Sequence, residues 1–524
     1  MRLNRNNVVN ITLLSLAFLE VIFILFLLIF KVTFHLNSDS ASDLLYAKQI
    51  VLQHKFIPNK WFQTTEVFVF GNFTVIAFFL LFINNLVYAK ILASILQLLI
   101  YISSIIVLSN SLKFSKRQTL IALLILLAPF NGSEYFEHVI IYNSYTLFIS
   151  FIFVSIAVII QYHQNKWFWI FLLIFSFIYG LQSVRLLANF LLPAIISLLL
   201  YGVFYKFEYK RIVLLAFCTI SSLFGLIIFK LIYLRSSNYI NSDYSSRVWS
   251  DSIAERWRPL VSIVLDSFSI LPHGNILSAH SMLYIISLIC FLSLLIVMVR
   301  QMSSKSNQLE HNLFKFIFIC ALFMKSYLLL FSNIDIIGRY FLHVTALSVF
   351  IVVISLSTIK NHKLYGLIII LIILSLINSY VNIRHYLLND IYNNRSRVLL
   401  ANKLSEMGYK CGYATYWNAN ITSILSHDVL SVAPLTNISG PGGDLITQGN
   451  NVSLGRFFWS VSEDIFNCKS SKKFIILTSK ENDVVNHQLT SKGTQIIQDE
   501  NFVVYSFESD PFTNIKIDGN SSMH

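Results

Sequence analysis

Residues 11–30 read ITLLSLAFLEVIFILFLLIF, and the chain then passes through six residues to Asn37-Ser38-Asp39-Ser40-Ala41-Ser42-Asp43. The first stretch is long enough to cross the hydrocarbon core of a bilayer, which takes about 20 apolar residues. It is too long for a signal-peptide core and no small-residue cleavage site follows it, so it reads as a retained first helix, roughly Val9 to Val32. Met1 to Asn10 carries Arg2 and Arg5 and belongs on the cytoplasmic side. The second stretch then lies at the outer membrane surface, where it sets two carboxylates four residues apart at the head of the first long loop.

Working outward, the same pattern recurs. Hydrophobic residues make up 56% of the 524 and charged residues only 12%, with a mean hydropathy of +0.66. Soluble domains carry about 25% charged residues. Further apolar runs are Leu86–Leu108, Thr119–Phe130, Val139–Gln161, Trp167–Gly180, Leu186–Tyr205, Ile212–Leu234, Met282–Val299, Phe314–Phe331, Phe341–Ile359 and Leu364–Val381. The breaks between them alternate. Basic breaks fall at 113–117, 163–166, 206–211, 300–315 and 360–363; longer or acidic ones fall at 33–67, 131–138, 235–280, 332–339 and after 385. Placing the basic set inside predicts a polytopic α-helical membrane protein with about eleven transmembrane helices and an external C-terminus. The net charge of +13 follows from those basic breaks and from a surface facing anionic lipid, with no appeal to nucleic acid. Phe68–Ile83 is short, and counting it as a crossing would turn every basic break outward; it is expected to lie against or dip into the membrane.

The membrane part is expected over 1–384, with external loops at 33–85 (holding juxtamembrane helices) and 235–280. From 385 to 524 the texture is that of a small soluble α/β domain. A helix over Asp390–Met407 stops at Gly408. Strands are expected at Cys411–Tyr416, Val429–Ala433, Phe474–Leu477 and Phe502–Phe507, with short helices at Trp417–Leu425 and Glu481–Gln488. Of the five cysteines, Cys218, Cys290 and Cys320 lie in apolar runs, whereas Cys411 and Cys468 lie in the tail and are expected to pair in an oxidising compartment.

The basic breaks are too short to hold a nucleotide-binding domain, and there is no Walker loop or dinucleotide fingerprint; Gly440-Pro441-Gly442-Gly443 opens no helix and reads as a loop. An activated substrate must therefore arrive in the membrane or from outside, as a lipid-linked group does. Asp39 and Asp43 would share one face of a helix running from about Ser42 to Gln53. A carboxylate beside hydrocarbon has a raised pKa and suits a general base. A capping box in which Ser40 caps and Asp43 bonds back accounts for the same residues without catalysis. Glu66, Lys48 and Trp61 add a polar and aromatic surface, Trp61 serving equally as an interfacial anchor. Glu134, Glu137 and His138, with Asp39, are donors that would suit Mg or Mn, though no spacing marks a metal site and solvated loop charges explain them as well. Arg185, Arg339, Arg247, Arg256 and Arg258 stand on the side that the positive-inside rule leaves poor in cations, and a guanidinium fork matches a phosphate. Snorkelling to lipid headgroups is the other reading.

Three stretches carry a resemblance. Asp39-Ser40 with Leu45-Tyr46-Ala47-Lys48, Phe56-Ile57-Pro58-Asn59-Lys60-Trp61 and Thr64-Thr65-Glu66 resembles the first external loop of bacterial GT-C superfamily glycosyltransferases. Gly338-Arg339-Tyr340 and Gly412-Tyr413-Ala414-Thr415-Tyr416-Trp417-Asn418-Ala419-Asn420 extend the likeness to the whole architecture. Within that superfamily the chain is similar to O-antigen-modifying glucosyltransferases of the serotype-conversion type.

The resemblance implies a sugar donor, glucose in that group, linked to a polyprenyl (undecaprenyl) phosphate. It implies an extracytoplasmic glycan acceptor such as lipopolysaccharide O-antigen, a bacterial inner-membrane location and a periplasmic tail. It implies that Asp39 is catalytic, with Asp43 in reserve and Glu66 nearby. Arg339, Arg185, Arg256 and Arg258 would hold the donor phosphate; Trp61, His138, Tyr416 and Trp417 would meet the acceptor. Tyr416, in an expected strand, also reads as a core residue. The second external loop lacks the usual Asp, so Glu134 or Glu137 would have to serve any divalent metal. A transporter or flippase of lipid-linked sugars, or an O-antigen polymerase or ligase, is the competing class. A transporter would be expected to show inverted repeats and broken helices, which the sequence lacks.

Overall fold

Helix α1 (Arg5–Phe30) carries the first apolar run, and the chain turns at its C-terminal end into α2 (Ser38–Gln53). The computed structural model describes residues 5–63, 69–128, 134–235, 253–267, 309–332, 336–358, 366, 386–388, 394–435, 456–483 and 493–511. The helices α3 (Asn72–Leu80), α4 (Leu86–Ser111), α5 (Lys116–Leu127), α6 (Thr146–Ala157), α7 (Lys166–Gln182), α8 (Leu192–Phe204), α9 (Tyr209–Arg235), α10 (Ile253–Ser267), α11 (Leu309–Phe331) and α12 (Leu342–Thr358) follow.

Among the described residues, six helices are long and apolar enough to cross a membrane: Val8–Phe30, Leu86–Ser111, Leu187–Phe204, Tyr209–Leu231, Leu309–Phe331 and Gly338–Leu356. Two shorter apolar helices, Thr146–Tyr162 and Lys166–Gln182, stand beside them. The run at Thr119–Phe130 becomes the 12-residue α5, short of a full crossing by itself. The expected spans at 282–299 and 364–381 lie outside the described residues, as do Glu66 and Arg247. Helix α3 has nine residues and packs on α2 and α4.

Water gives no help in holding helices together inside lipid, so close backbone packing and interhelical hydrogen bonds do it. The crossing of α7 and α9 shows how. A Cβ on Gly180 would lie 2.1 Å from the Ser222 carbonyl oxygen, and one on Gly225 would lie 2.3 Å from that of Phe177. The Ser221 hydroxyl donates to the Leu173 carbonyl at 2.9 Å across the same contact.

The tail forms α13 (Asn394–Glu406), α14 (Tyr416–Leu425) and a five-stranded sheet ordered β3-β2-β5-β7-β6. Its strands are β2 (Cys411–Thr415), β3 (Ser431–Leu435), β5 (Lys473–Thr478), β6 (Thr494–Gln498) and β7 (Phe502–Phe507). β2 lies parallel to β3 and β5, and β7 is antiparallel to β5 and β6. α13 ends at Gly408, whose φ of +82° is the left-handed turn a glycine takes without strain. Cys411 and Cys468 are disulfide-bonded, Cα atoms 6.0 Å apart.

Strand β6 was not expected from the sequence; three of its five side chains are exposed, so it lacks an alternating apolar signature. The other unexpected pairing joins the two ends of the chain. β1 (Trp61–Phe62), in the first loop, runs antiparallel to β4 (Val461–Ser462), in the tail. The Asn394 side-chain amide adds a second tie, donating to the carbonyls of Thr33, Phe34 and Leu36 at 2.8, 3.2 and 2.9 Å.

Candidate active site

Helix α2 starts four residues before the expected Ser42, and a different pair caps it. Asn37 is the N-cap: its side chain accepts from the Ser40 amide at 2.8 Å, and Ser40 Oγ accepts from the Asn37 amide at 3.0 Å. That box takes the orphan N–H groups, so neither Asp39 nor Asp43 is engaged as a cap, and the capping account of Asp43 is corrected. Both carboxylates project instead into a cavity of about 270 Å³.

The cavity lies where α2, the start of α3, the segment around His138–Phe148, the end of α7, the Gly338–Phe341 turn and the tail meet. Asp39, Asp43, His138, Arg185, Arg339 and Tyr416 all line it, so residues separated by hundreds of positions converge. Arg339 Nη1 stands 3.7 Å from Asp39 Oδ2. The Tyr416 hydroxyl donates to Asp39 Oδ1 at 2.8 Å. Arg185 Nη1 donates to the Tyr145 hydroxyl at 3.2 Å, and its guanidinium lies 5.5 Å from the centre of that ring. The tail is seated here by α2 itself: Ser38 Oγ donates to the Tyr416 carbonyl and Ser42 Oγ to the Ser460 carbonyl, each at 2.9 Å.

The electrostatics follow from burial. Asp43 accepts a hydrogen bond from Asn72 Nδ2 at 2.9 Å, yet loss of water dominates and pushes its carboxyl up to about 6. Burial, then the Arg339 charge, lowers His138 to about 4, so this imidazole is neutral at physiological pH. Its Nε2 lies 3.5 Å from Glu134 Oε2. Burial, then the Asp39 charge beside it, raises the Tyr416 phenol well above its ordinary value and keeps it a donor.

Other expected residues lie elsewhere. Trp61 is 2% exposed, packed edge-on against Tyr46 at 5.0 Å; it offers no face for a sugar and is a core residue. Trp417 is exposed on the tail, beside Tyr416 but away from the cavity lining. Tyr416 opens α14 rather than closing a strand, which turns its hydroxyl toward α2. Arg256 donates through Nε and Nη2 to the Leu329 carbonyl at 3.1 and 3.0 Å, tying α10 to α11. Arg258 is exposed, and neither lines the cavity. Glu137 is buried and accepts from Tyr142 and Tyr386 at 3.3 and 3.1 Å.

Among the described residues no group of three His, Cys, Asp or Glu is arranged to hold a metal. The Arg339 guanidinium stands beside Asp39 and acts on His138, which makes this donor set a poor fit for a divalent cation. Glu134 stands beside His138, and Glu137 is taken up by Tyr142 and Tyr386, so among the described residues Asp39, Glu134, Glu137 and His138 form no three-ligand set.

Two residues of the cavity wall and one behind it carry almost no signal in the sequence. Asn72, at the first turn of α3, binds Asp43; Trp459, half-buried, forms part of the tail's contribution with Ser460; and Lys90 stands behind Asn72. Trp459 stacks on Phe457 with ring centres 6.0 Å apart, which fixes one side of the indole. The only sequence hint was the aromatic run Phe457-Phe458-Trp459.

No protein-family model matches the chain, and no curated protein sequence matches it. Among solved structures, it is similar to the apo oligosaccharyltransferase of Archaeoglobus fulgidus. That match has 12% identity and a TM-score of 0.46, and it covers 97% of this chain and 75% of that one.

Proposed function

We propose that this chain is a membrane-embedded glycosyltransferase of the GT-C type, which moves a sugar from a polyprenyl-phosphate carrier to an extracytoplasmic glycan. The single observation that carries this reading is the placement of Asp39 and Arg339, a carboxylate and a guanidinium, in one cavity capped by the tail. The acceptor hydroxyl oxygen attacks the anomeric carbon while Asp39 takes the hydroxyl proton. The anomeric C–O bond to phosphate breaks, its electron pair leaves with the phosphate oxygen, and the carrier departs as polyprenyl phosphate. Arg339 and Arg185 face the charge that grows on that oxygen. Phe70, Phe148 and Tyr179 line the cavity as well, an apolar wall beside which an isoprenoid can lie. Trp459 offers an aromatic face to the acceptor, the role expected of Trp61 and Trp417. Glucose as the sugar, O-antigen as the acceptor and the bacterial inner membrane as the location remain part of this proposal, resting on the sequence resemblance. The paired cysteines of the tail suit an oxidising compartment.

The test is purified protein in liposomes with a labelled polyprenyl-phosphate sugar and an acceptor glycan. Release of polyprenyl phosphate that requires acceptor, and that is lost in Asp39→Asn, is the expected result. Movement of intact lipid-linked sugar across the bilayer without release would assign the chain to transport instead.

A further inference from the structure

Lys90 lies one turn into α4, a membrane-crossing helix, and it is 1% exposed. Its ammonium donates to the Tyr142 carbonyl at 2.7 Å, to Asn143 Oδ1 at 3.2 Å and to Asn72 Oδ1 at 3.4 Å. All three acceptors are neutral. An ammonium in such a place is costly, and an apolar side chain of the same length would pack the helix better. Packing alone therefore gives no reason for the charge.

The orientation of Asn72 supplies one. Its Oδ1 accepts from Lys90 and from Gln97 Nε2, the latter at 2.9 Å. Those two donors fix which end of the amide is which, so Nδ2 must face the other way, where it donates to Asp43 Oδ2 at 2.9 Å and to the Tyr142 carbonyl at 3.1 Å. The Lys90 charge also acts on Asp43 to favour its carboxylate. The other charged or titratable groups around Asp43 are Asp39 on its own helix, Tyr416 from the tail, and His138, Arg185 and Arg339 across the cavity.

We infer that Lys90 is a positioning residue, which acts through Asn72 to hold Asp43 as an oriented carboxylate in the cavity wall and so sets the pH at which transfer begins. The inference rests on the glycosyl-transfer reading above. In it, an ionised Asp43 stands as a second negative charge beside Asp39 in the cavity wall, and neither oxygen of Asp43 has to touch substrate. The sign is fixed by Coulomb attraction. A cation near Asp43 favours its charged form, so removing that cation raises the pH needed to ionise it.

The experiment compares wild type with Lys90→Gln, Lys90→Met and Lys90→Arg in liposomes. Gln carries an uncharged donor in place of the ammonium, so it tests the charge even if Met, with no donor at all, fails to fold. Two readouts are taken: the acidic limb of the transfer rate, and an infrared titration of the carboxyl C=O band identified by its loss in Asp43→Asn. Lys90→Gln should move both upward by about one pH unit or more, and Lys90→Arg should restore them toward wild type. A purely structural lysine would lower the rate at every pH and leave the midpoints in place; an unmoved infrared midpoint in Lys90→Gln overturns the inference. The infrared readout needs no turnover. A shifted band in a protein that releases no polyprenyl phosphate would therefore leave the Lys90–Asp43 coupling standing and sink the transferase reading instead.

Discussion

The Tyr416 hydroxyl donates to Asp39 Oδ1 at 2.8 Å across 377 positions of sequence, so the tail completes a site that begins one turn after the first span. The opposite oxygen of the same carboxylate faces Arg339 at 3.7 Å. A carboxylate held by a phenol on one side and a guanidinium on the other is fixed in direction before any substrate arrives. The guanidinium contact is loose, and an incoming phosphate can take the fork without breaking a tight bidentate pair.

Asp39→Asn keeps the shape of the side chain and removes the carboxylate proposed as the base. Transfer should fall about 100- to 10,000-fold. Thermal stability should hold, since the cap of α2 is made by Asn37 and Ser40. Asn37→Ala should do the reverse, with a loss of about 1 kcal/mol of stability and little direct effect on chemistry. Paired melting curves and initial rates of both variants check this. A destabilised Asp39→Asn with its residual activity intact would return Asp39 to a structural role.

On the proposed transfer, Arg339→Ala should weaken donor binding and slow turnover together, because a donor phosphate is charged before reaction and becomes more so during it. Arg339→Lys should restore binding better than rate, since a point charge replaces a fork. Separate measurements of KM for the lipid-linked donor and of kcat distinguish these. An unchanged KM in Arg339→Ala would remove Arg339 from the phosphate.

Reduction of the Cys411–Cys468 bond opens a 57-residue loop in the tail. The tail should lose about 2–4 kcal/mol of stability, read as a lower unfolding midpoint under reducing conditions. Cys411→Ser should match it. Because Tyr416 follows β2 directly, transfer should fall at temperatures where the membrane helices remain folded, a split that a single cooperative unit would not show.

The membrane character was legible because apolar runs are a local signal; Asp39 stood out as one of two carboxylates just past the first apolar run in a chain with little charge, and Arg339 as a cation on the side that the positive-inside rule leaves poor in them. What escaped was set by tertiary contacts. Trp61 reads as an exposed aromatic anchor, yet its strand pairs with Val461–Ser462 and it becomes core. Ser40 and Asp43 match a capping box in sequence, but Asn37 sits three residues before Ser40 and wins the same hydroxyl, one register earlier. Lys90 lies at the start of an apolar run, where a lysine ordinarily snorkels to the interface; only the fold brings Asn72, Tyr142 and Asn143 around it.

Asp43→Asn should separate stability from function. Burial holds the Asp43 carboxyl at about 6 in the folded protein, against 3.8 for the unperturbed group. The folded state therefore binds the proton more tightly than the unfolded chain does. Its contribution to stability is fully present below about pH 4 and is lost as pH rises through about 6, so at neutral pH the ionised carboxylate works against folding. Asparagine fills the same space and its carbonyl oxygen can still accept from Asn72, but it carries no charge to desolvate. Asp43→Asn should thus be as stable as wild type at low pH and more stable at neutral pH, and the gap between them should open across pH 4 to 6. Transfer should be lost over the whole range, because the second negative charge beside Asp39 is gone. Unfolding midpoints measured at several pH values, alongside rates, test both halves. Equal stability of the two proteins at neutral pH would mean that Asp43 is hydrated rather than buried in the cavity wall. A stabilised Asp43→Asn that still transfers sugar would show that Asp39 needs no second carboxylate.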